Sequence, residues 1–340
     1  MINVLLVDDS PLARIVFRDI INATSDLRVT GEAANGQEAI LLAEHLQPDL
    51  IIMDIMMPVM DGLKAIEAIM ARNPRPILVL SATLADREVN MAFRAIKIGA
   101  LDVLTKPSDT AGVLFAKTLV DKIRLLSRIK VIRHPRRLAP EPAPAAAQGS
   151  IRRDILAIGA STGGPKAVMS IIKTLPENFP GTVCIVQHIA AGFARGFAQW
   201  LDHESALRVR TANDGDEFIP GSVLVAPNDF HMSVSRGRIR LVSGPKVHQC
   251  RPAVDCLFKS LAMEMGDRVV GVLLTGMGKD GAEGLKIIAD HGGATLVQDE
   301  ETSVVFGMPK AAIALGAARQ ILPLSAMPDA IAAHFTHMEE

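Results

Sequence analysis

A chain of 340 residues has room for two domains of ordinary size, and 49% apolar against only 4% aromatic residues leaves the packing to small and branched aliphatic side chains. A formal charge of -1 supplies no basic domain for nucleic acid, and no uncharged apolar run reaches the length of a membrane span. Cys184, Cys250 and Cys256 make no close metal-ligand cluster in the sequence. The first residues also lack the basic and apolar regions of a signal peptide, so a reduced, cytoplasmic compartment is expected.

In chain order, the apolar run 3–7 reads as a buried strand, followed by Asp8-Asp9-Ser10-Pro11 and a helical pattern through Ile15, Ile20 and Ile21. Strands at 29–33, 50–53, 77–80 and 102–105 alternate with helices at 37–46, 63–70, 87–98 and 109–129. That rhythm predicts a parallel sheet covered on both faces over residues 1–130. Prolines and alanines without large apolar residues then mark 131–150 as an exposed, semi-rigid linker. A second domain is expected over 151–338. Its strands fall at 155–159, 182–187, 207–211, 222–226, 238–242, 269–274 and 294–298, and its helices at 165–174, 254–265, 282–290 and 309–315. This is again α/β, doubly wound and mainly parallel, with a small antiparallel excursion around 218–242.

The first domain carries an aspartyl-phosphate pattern. Asp8, Asp9 and Asp54 fall at the C-terminal ends of neighbouring parallel strands, where open α/β sheets place their sites. Three converging carboxylates repel one another unless a hard cation such as Mg²⁺ holds them. Such a cation also offsets charge while a carboxylate attacks a phosphoryl group. Lys106 supplies a positive charge for the phosphoryl oxygens and Ser81 a hydroxyl donor. A phosphoryl group adds roughly 1.5–2 negative charges, enough to pull a nearby loop between two arrangements.

With Asp8-Asp9, Asp54 in Met-Asp-Ile-Met-Met-Pro-Val-Met-Asp-Gly, Ser81 in Val79-Leu-Ser-Ala and Lys106-Pro107, this domain resembles a response-regulator receiver, a five-stranded flavodoxin-like fold. The resemblance implies Asp54 as phosphoacceptor and Mg²⁺ held through Asp9, Asp54 and the Met56 carbonyl, with Asp8 assisting through water. It implies Ser81 and Lys106 as the residues that read the phosphoryl group. Val103 stands three residues before Lys106, where many receivers have Tyr or Phe. The resemblance therefore carries over the phosphorylation chemistry but not the aromatic rotamer part of the usual switch.

In the second domain Gly159-Ala160-Ser161-Thr162-Gly163-Gly164-Pro165 follows a strand and precedes a helix. A serine there stands above the sheet, with amides able to face an oxyanion. The same turn suits a serine N-cap or a phosphate cradle, and its five-residue Gly-x-Ser-x-Gly match is weak by itself. His188 ends the apolar run 182–187, and Asp280 lies in Leu274-Thr-Gly-Met-Gly-Lys-Asp-Gly281 after another buried strand. A nucleophile, a base and a base-orienting carboxylate on three strand ends fit Ser-His-Asp hydrolysis.

These segments, with Val225-Ala-Pro-Asn228, Arg251-Pro-Ala-Val-Asp-Cys-Leu-Phe258 and Val305-Phe-Gly-Met-Pro309, resemble the catalytic domain of the chemotaxis protein-glutamate methylesterase family. Pro252-Ala253 stands where Pro-Ser is frequent. The resemblance implies Ser161 as nucleophile, His188 as general base and then acid, and Asp280 orienting His188. Thr162 and Met277 would line the site, with the Met277 amide an oxyanion donor. Arg251 is a candidate either for meeting acidic receptor surface or for a structural ion pair. The resemblance also implies γ-glutamyl methyl esters of methyl-accepting chemotaxis receptors as substrate, deamidation of receptor glutamines as a second activity, and a chemotaxis histidine kinase as phosphodonor. Ester hydrolysis would need no cofactor. The expected location is the cytoplasm at receptor arrays, with no membrane insertion and no nucleic acid.

Three other readings compete. A DNA-binding output domain leaves Ser161, His188 and Asp280 unexplained. A non-catalytic adaptor would keep full activity in Ser161→Ala, and an esterase of a small metabolite would hydrolyse free esters without receptor.

Overall fold

The computed structural model describes residues 1–81, 86–106, 112–129, 131 and 153–335. The chain divides into two compact units, Met1–Arg137 and Leu138–Glu340. Pro107 and, apart from Val131, the expected linker at 131–150 lie outside the described residues.

The first unit alternates β1 (Ile2–Val7), α1 (Pro11–Asn22), β2 (Leu27–Ala33), α2 (Gly36–Leu46), β3 (Leu50–Asp54), α3 (Gly62–Arg72), β4 (Ile77–Ser81), α4 (Asp86–Ile98), β5 (Asp102–Thr105) and α5 (Val113–Leu126). The strands form one parallel sheet in the order β2-β1-β3-β4-β5. Its central strand β3 is buried along its whole length, as a continuous Leu-Ile-Ile-Met run between two helical layers requires. Ser10 caps α1 by accepting from the Ala13 amide at 3.3 Å, and Pro11 occupies the first turn, where its missing N–H costs nothing. The strand order reverses between β1 and β3, and the ends of these two strands carry Asp8-Asp9 and Asp54.

Gly62 lets α3 start directly against the end of β3. A Cβ there would lie 2.1 Å from the Asp54 carbonyl oxygen and 2.9 Å from the Ile55 Cα, both backbone atoms that cannot swing aside. Gly62→Ala is therefore expected to destabilise the first unit by about 1–3 kcal/mol. The measurement is the midpoint of its transition in urea; an unchanged midpoint contradicts this account of the contact.

The second unit runs β6 (Ile155–Ala160), α6 (Gly164–Ile172), β7 (Thr182–Gln187), α7 (Phe193–Glu204), β8 (Arg208–Thr211), β9 (Ser222–Val225), β10 (His231–Ser235), β11 (Arg238–Val242), α8 (Val254–Met265), β12 (Val269–Leu273), α9 (Ala282–Asp290), β13 (Ala294–Gln298), α10 (Met308–Ala314), β14 (Gln320–Leu322) and α11 (Met327–Ala333). Seven strands pair in parallel in the order β14-β13-β12-β6-β7-β9-β8, and β10 pairs antiparallel with β11 as the small excursion. All residues of β6 and β7 are buried. Val254, Leu257, Phe258 and Leu261 of α8 fill one face of the sheet together with Ala157, Cys184 and Leu273.

Sequence reasoning did not anticipate α7, β10, β14 or α11. In α7 the buried Phe193, Phe197, Trp200 and Leu201 are helically spaced but follow Gly192 and are interrupted by Arg195 and Gly196, which masks the helix start. β10 alternates weakly (His-Met-Ser-Val-Ser) and is held by its partner β11. β14 has three residues, too few for a period to show.

Candidate functional site

In the first unit the carboxylates of Asp8, Asp9 and Asp54 have ligand oxygens within 4.8 Å of one another. Lys106 Nζ lies 2.6 Å from Asp8 Oδ2 and 3.2 Å from Asp54 Oδ1. Asp8 and Asp54 are buried and Asp9 is exposed, so the cluster opens to solvent on one side. Burial pushes the Asp54 carboxyl up to about 6, against the pull of Lys106 and with repulsion from Asp8 added. Burial works against the Lys106 charge, but Asp54 and Asp8 outweigh it and hold the ammonium above its ordinary value. An all-oxygen donor set of this kind suits a hard divalent cation.

Ser81 ends β4 one residue beyond the Asp54–Leu80 pair, and its hydroxyl donates to Glu88 at 3.4 Å. The Lys106 amide donates to the Ser81 carbonyl at 2.8 Å, which ties the two expected phosphoryl-reading residues to adjacent strand ends. Met56 is exposed on the loop after β3.

The second unit places its chemistry on β12, β6 and β7, the three neighbours around the point where the strand order reverses. Ala160 pairs with Gln187, so Ser161 and His188 are the next residues on adjoining strand ends. The His188 amide donates to the Ala160 carbonyl at 2.9 Å, and the Ser161 amide to the Thr275 carbonyl at 3.0 Å. Gln187 Nε2 donates to the carbonyls of both Ser161 (2.7 Å) and His188 (2.8 Å), which ties the two strand ends together.

Behind Ser161 the chain passes through Gly163 at φ +78°, where a side chain would also strike Val304. On the other flank a Cβ at Gly276 would lie 2.7 Å from the Ser161 Cβ. Thr162 is buried, and its carbonyl accepts from Thr275 Oγ1 at 2.9 Å. Met277 is exposed on the loop after β12.

Asp280 is held by three hydrogen bonds. Its Oδ2 accepts from His188 Nε2 at 2.8 Å and the Val254 amide at 2.7 Å, and its Oδ1 from the Asp255 amide at 3.0 Å. The two amides open α8, so a carboxylate sits against a helix N-terminus. Burial raises the Asp280 carboxyl, but these bonds together hold it below its ordinary value. An ionised carboxylate only accepts, so in the neutral ring of His188 the proton sits on Nε2 and Nδ1 carries the lone pair. Burial disfavours charging the imidazole; the bonds to Asp280 and Cys250 outweigh it and raise His188 to about 9.

A base must be neutral to take a proton. With a raised pKa, His188 is protonated and idle at low pH and becomes competent as pH rises through about 9. As general base, His188 would make the kcat/KM profile climb through neutral pH with its midpoint near that value. A midpoint at the ordinary imidazole value of about 6.5 would contradict the coupling to Asp280.

Arg251 donates from Nη1 to the Gly244 carbonyl at 2.7 Å, so part of its guanidinium is tied to the chain. Residues that sequence reasoning missed are Gln187, Thr275, Asp255 and Cys250. Gln187 was signalled only by preceding His188, and Asp255 only by its place in the first turn of α8. Asp255 accepts from His248 Nε2 at 3.0 Å and from the Gly284 amide at 2.7 Å.

Residues 156–331 match the family described as CheB methylesterase, and residues 4–116 the response regulator receiver domain. The chain is 46% identical, over 97% of its length and 96% of the relative's, to protein-glutamate methylesterase/protein-glutamine glutaminase 2 of Anaeromyxobacter dehalogenans. Identity to protein-glutamate methylesterase/protein-glutamine glutaminase 4 of Geobacter metallireducens is 43% over 99% of both chains. The crystal structure of the Thermotoga maritima CheB methylesterase catalytic domain superposes on 53% of this chain and 98% of its own, with TM-score 0.51 and 40% identity. An α/β sheet with Ser161, His188 and Asp280 at its reversal point and an acidic cluster on a separate five-stranded sheet thus accompany similarity along nearly the whole chain, which belongs to the CheB family of protein-glutamate methylesterases/protein-glutamine glutaminases with a response-regulator receiver domain.

Proposed function

We propose that this chain hydrolyses γ-glutamyl methyl esters of methyl-accepting chemotaxis receptors, and deamidates receptor glutamines, under the control of phosphorylation at Asp54. The observation that carries the catalytic reading is the Asp280 carboxylate, pinned by two helix amides and joined to His188 beside Ser161.

Ser161 Oγ attacks the ester carbonyl carbon while His188 Nδ1 takes its proton. The oxyanion that forms faces the Met277 amide, with Thr162 lining the site. Collapse of the tetrahedral species breaks the C–O bond, the imidazolium returns the proton, and methanol leaves. Water then attacks the acyl-enzyme, again giving its proton to His188, and Ser161 departs with that proton to leave glutamate. With glutamine the first leaving group is ammonia. Asp280 stays ionised throughout and stabilises the imidazolium. Arg251 would meet carboxylates on the receptor surface.

In the receiver Asp54 is the phosphoacceptor. Asp8, Asp9, Asp54 and the Met56 carbonyl would hold Mg²⁺, whose contribution is to offset charge on the transferring phosphoryl group. Lys106 and Ser81 would then bind the phosphoryl oxygens. A chemotaxis histidine kinase is the proposed phosphodonor and receptor arrays the place of action. Among the described residues no helix is long and apolar enough to cross a membrane.

Mass spectrometry of methylated receptor peptides before and after incubation tests the substrate. Conversion of methyl-glutamyl and glutaminyl residues to glutamate is expected. Untouched receptor beside rapid hydrolysis of free small esters would instead make the chain a metabolite esterase.

A further inference from the structure

Cys250 comes to the active site by a turn rather than by sequence proximity. Val247 and Cys250 exchange backbone hydrogen bonds of 3.1 and 2.8 Å across His248-Gln249, both left-handed at φ +49° and +64°. That is the backbone sign pattern of a type I′ turn, built here without glycine. His248 is anchored in it by its bond to Asp255. The turn delivers Cys250 Sγ to 3.7 Å from His188 Nδ1, the nitrogen that Asp280 leaves free.

This spacing is the one a tetrahedral metal needs. A zinc ion bonded at about 2.3 Å to sulfur and about 2.0–2.1 Å to an imidazole nitrogen holds the two ligand atoms about 3.6 Å apart. The ring is also prepared in the way zinc sites prepare theirs. A ligating histidine commonly donates its other N–H to a carboxylate, which fixes the tautomer and aims the lone pair. Here Asp280 accepts from Nε2, and the ligand atoms of His188, Cys250 and Asp280 all lie within 4.8 Å of one another. Cys250 and His188 are half-buried, so solvent can supply the remaining ligands.

We propose that Cys250 and His188 form a site for a thiophilic divalent cation, with Zn²⁺ as its representative, and that occupancy of the site shuts off the hydrolase. The Cys250 thiol binds as thiolate and His188 as the neutral ring through Nδ1, so the thiol proton and the Nδ1 proton of the imidazolium both pass to solvent. The metal takes the Nδ1 lone pair that would otherwise accept the Ser161 proton, so His188 cannot act as base. The inhibition rests on the proposed roles of Ser161 and His188; the binding does not, and it is read separately.

The experiment uses full-length, chelator-treated protein. Cobalt(II), a coloured substitute for zinc, is titrated in and the thiolate-to-metal charge-transfer absorption followed; carboxylate-only sites give no such band. The band is expected to saturate, to be displaced by Zn²⁺, to vanish in Cys250→Ala and Cys250→Ser, and to persist in Cys256→Ala. Asp280→Asn should weaken cobalt affinity about 10–100-fold through loss of the carboxylate behind the ring. Zn²⁺ should suppress methanol release in wild type and Cys256→Ala, reversibly with chelator, and leave Cys250→Ala at its own zinc-free rate. A missing thiolate band, a band that follows Cys256, or equal zinc inhibition in Cys250→Ala overturns the proposal. Absence of methanol release from every sample would instead count against the esterase reading, while the band still decides the binding.

Discussion

Ser161→Ala is expected to lower methanol release from methylated receptors by about 10⁴- to 10⁶-fold, with folding unchanged. The oxygen lost is the one proposed to form the acyl-enzyme. The backbone of the turn is held independently of the side chain. The Ser161 amide donates to Thr275, its carbonyl accepts from Gln187 Nε2 and the Gly164 amide, and none of these bonds uses Oγ. The measurement is initial methanol release at saturating receptor, with far-UV circular dichroism as the control for folding. Release within tenfold of wild type would remove Ser161 from the mechanism and favour an adaptor or another nucleophile.

Asp280→Asn should cost about 10⁴-fold in kcat, and the reason is the tautomer. The carboxylate accepts from Val254, Asp255 and His188 together. An asparagine keeps one oxygen, which the helix amides claim, and turns its NH₂ toward His188. The imidazole must then present Nε2 as acceptor and carry its proton on Nδ1, the nitrogen meant to receive the Ser161 proton. Substrate binding does not pass through Asp280, so KM should change little while kcat falls. A loss in KM alone would make Asp280 a structural cap for α8.

Much of this arrangement was legible from the chain. Continuous aliphatic runs such as 50–53 and 155–159, too short for a helix and bounded by turn residues, read as buried parallel strands. Each chemical residue follows such a run, which puts Asp54, Ser161 and His188 at strand ends. What the sequence hid depends on contacts between distant segments. Gln187 ends a continuous buried run like an ordinary strand-end residue, yet its amide joins the carbonyls of Ser161 and His188. Cys250 lies 62 residues from His188, and nothing local marks His248-Gln249 as a left-handed turn, because that conformation usually calls for glycine or asparagine. Arg251 read as a surface cation, whereas its bond to the Gly244 carbonyl depends on a loop with no period to betray it.

A phosphoryl group on Asp54 is expected to command hydrolysis at Ser161. The measurement is methanol release from methyl-labelled receptor membranes, with and without a small phosphodonor and Mg²⁺, in wild type, Asp54→Asn and Ser161→Ala. Phosphodonor should stimulate release in wild type, leave Asp54→Asn at an unstimulated basal rate, and leave Ser161→Ala near background under both conditions. Stimulation that survives Asp54→Asn, or release that survives Ser161→Ala, would contradict that expectation.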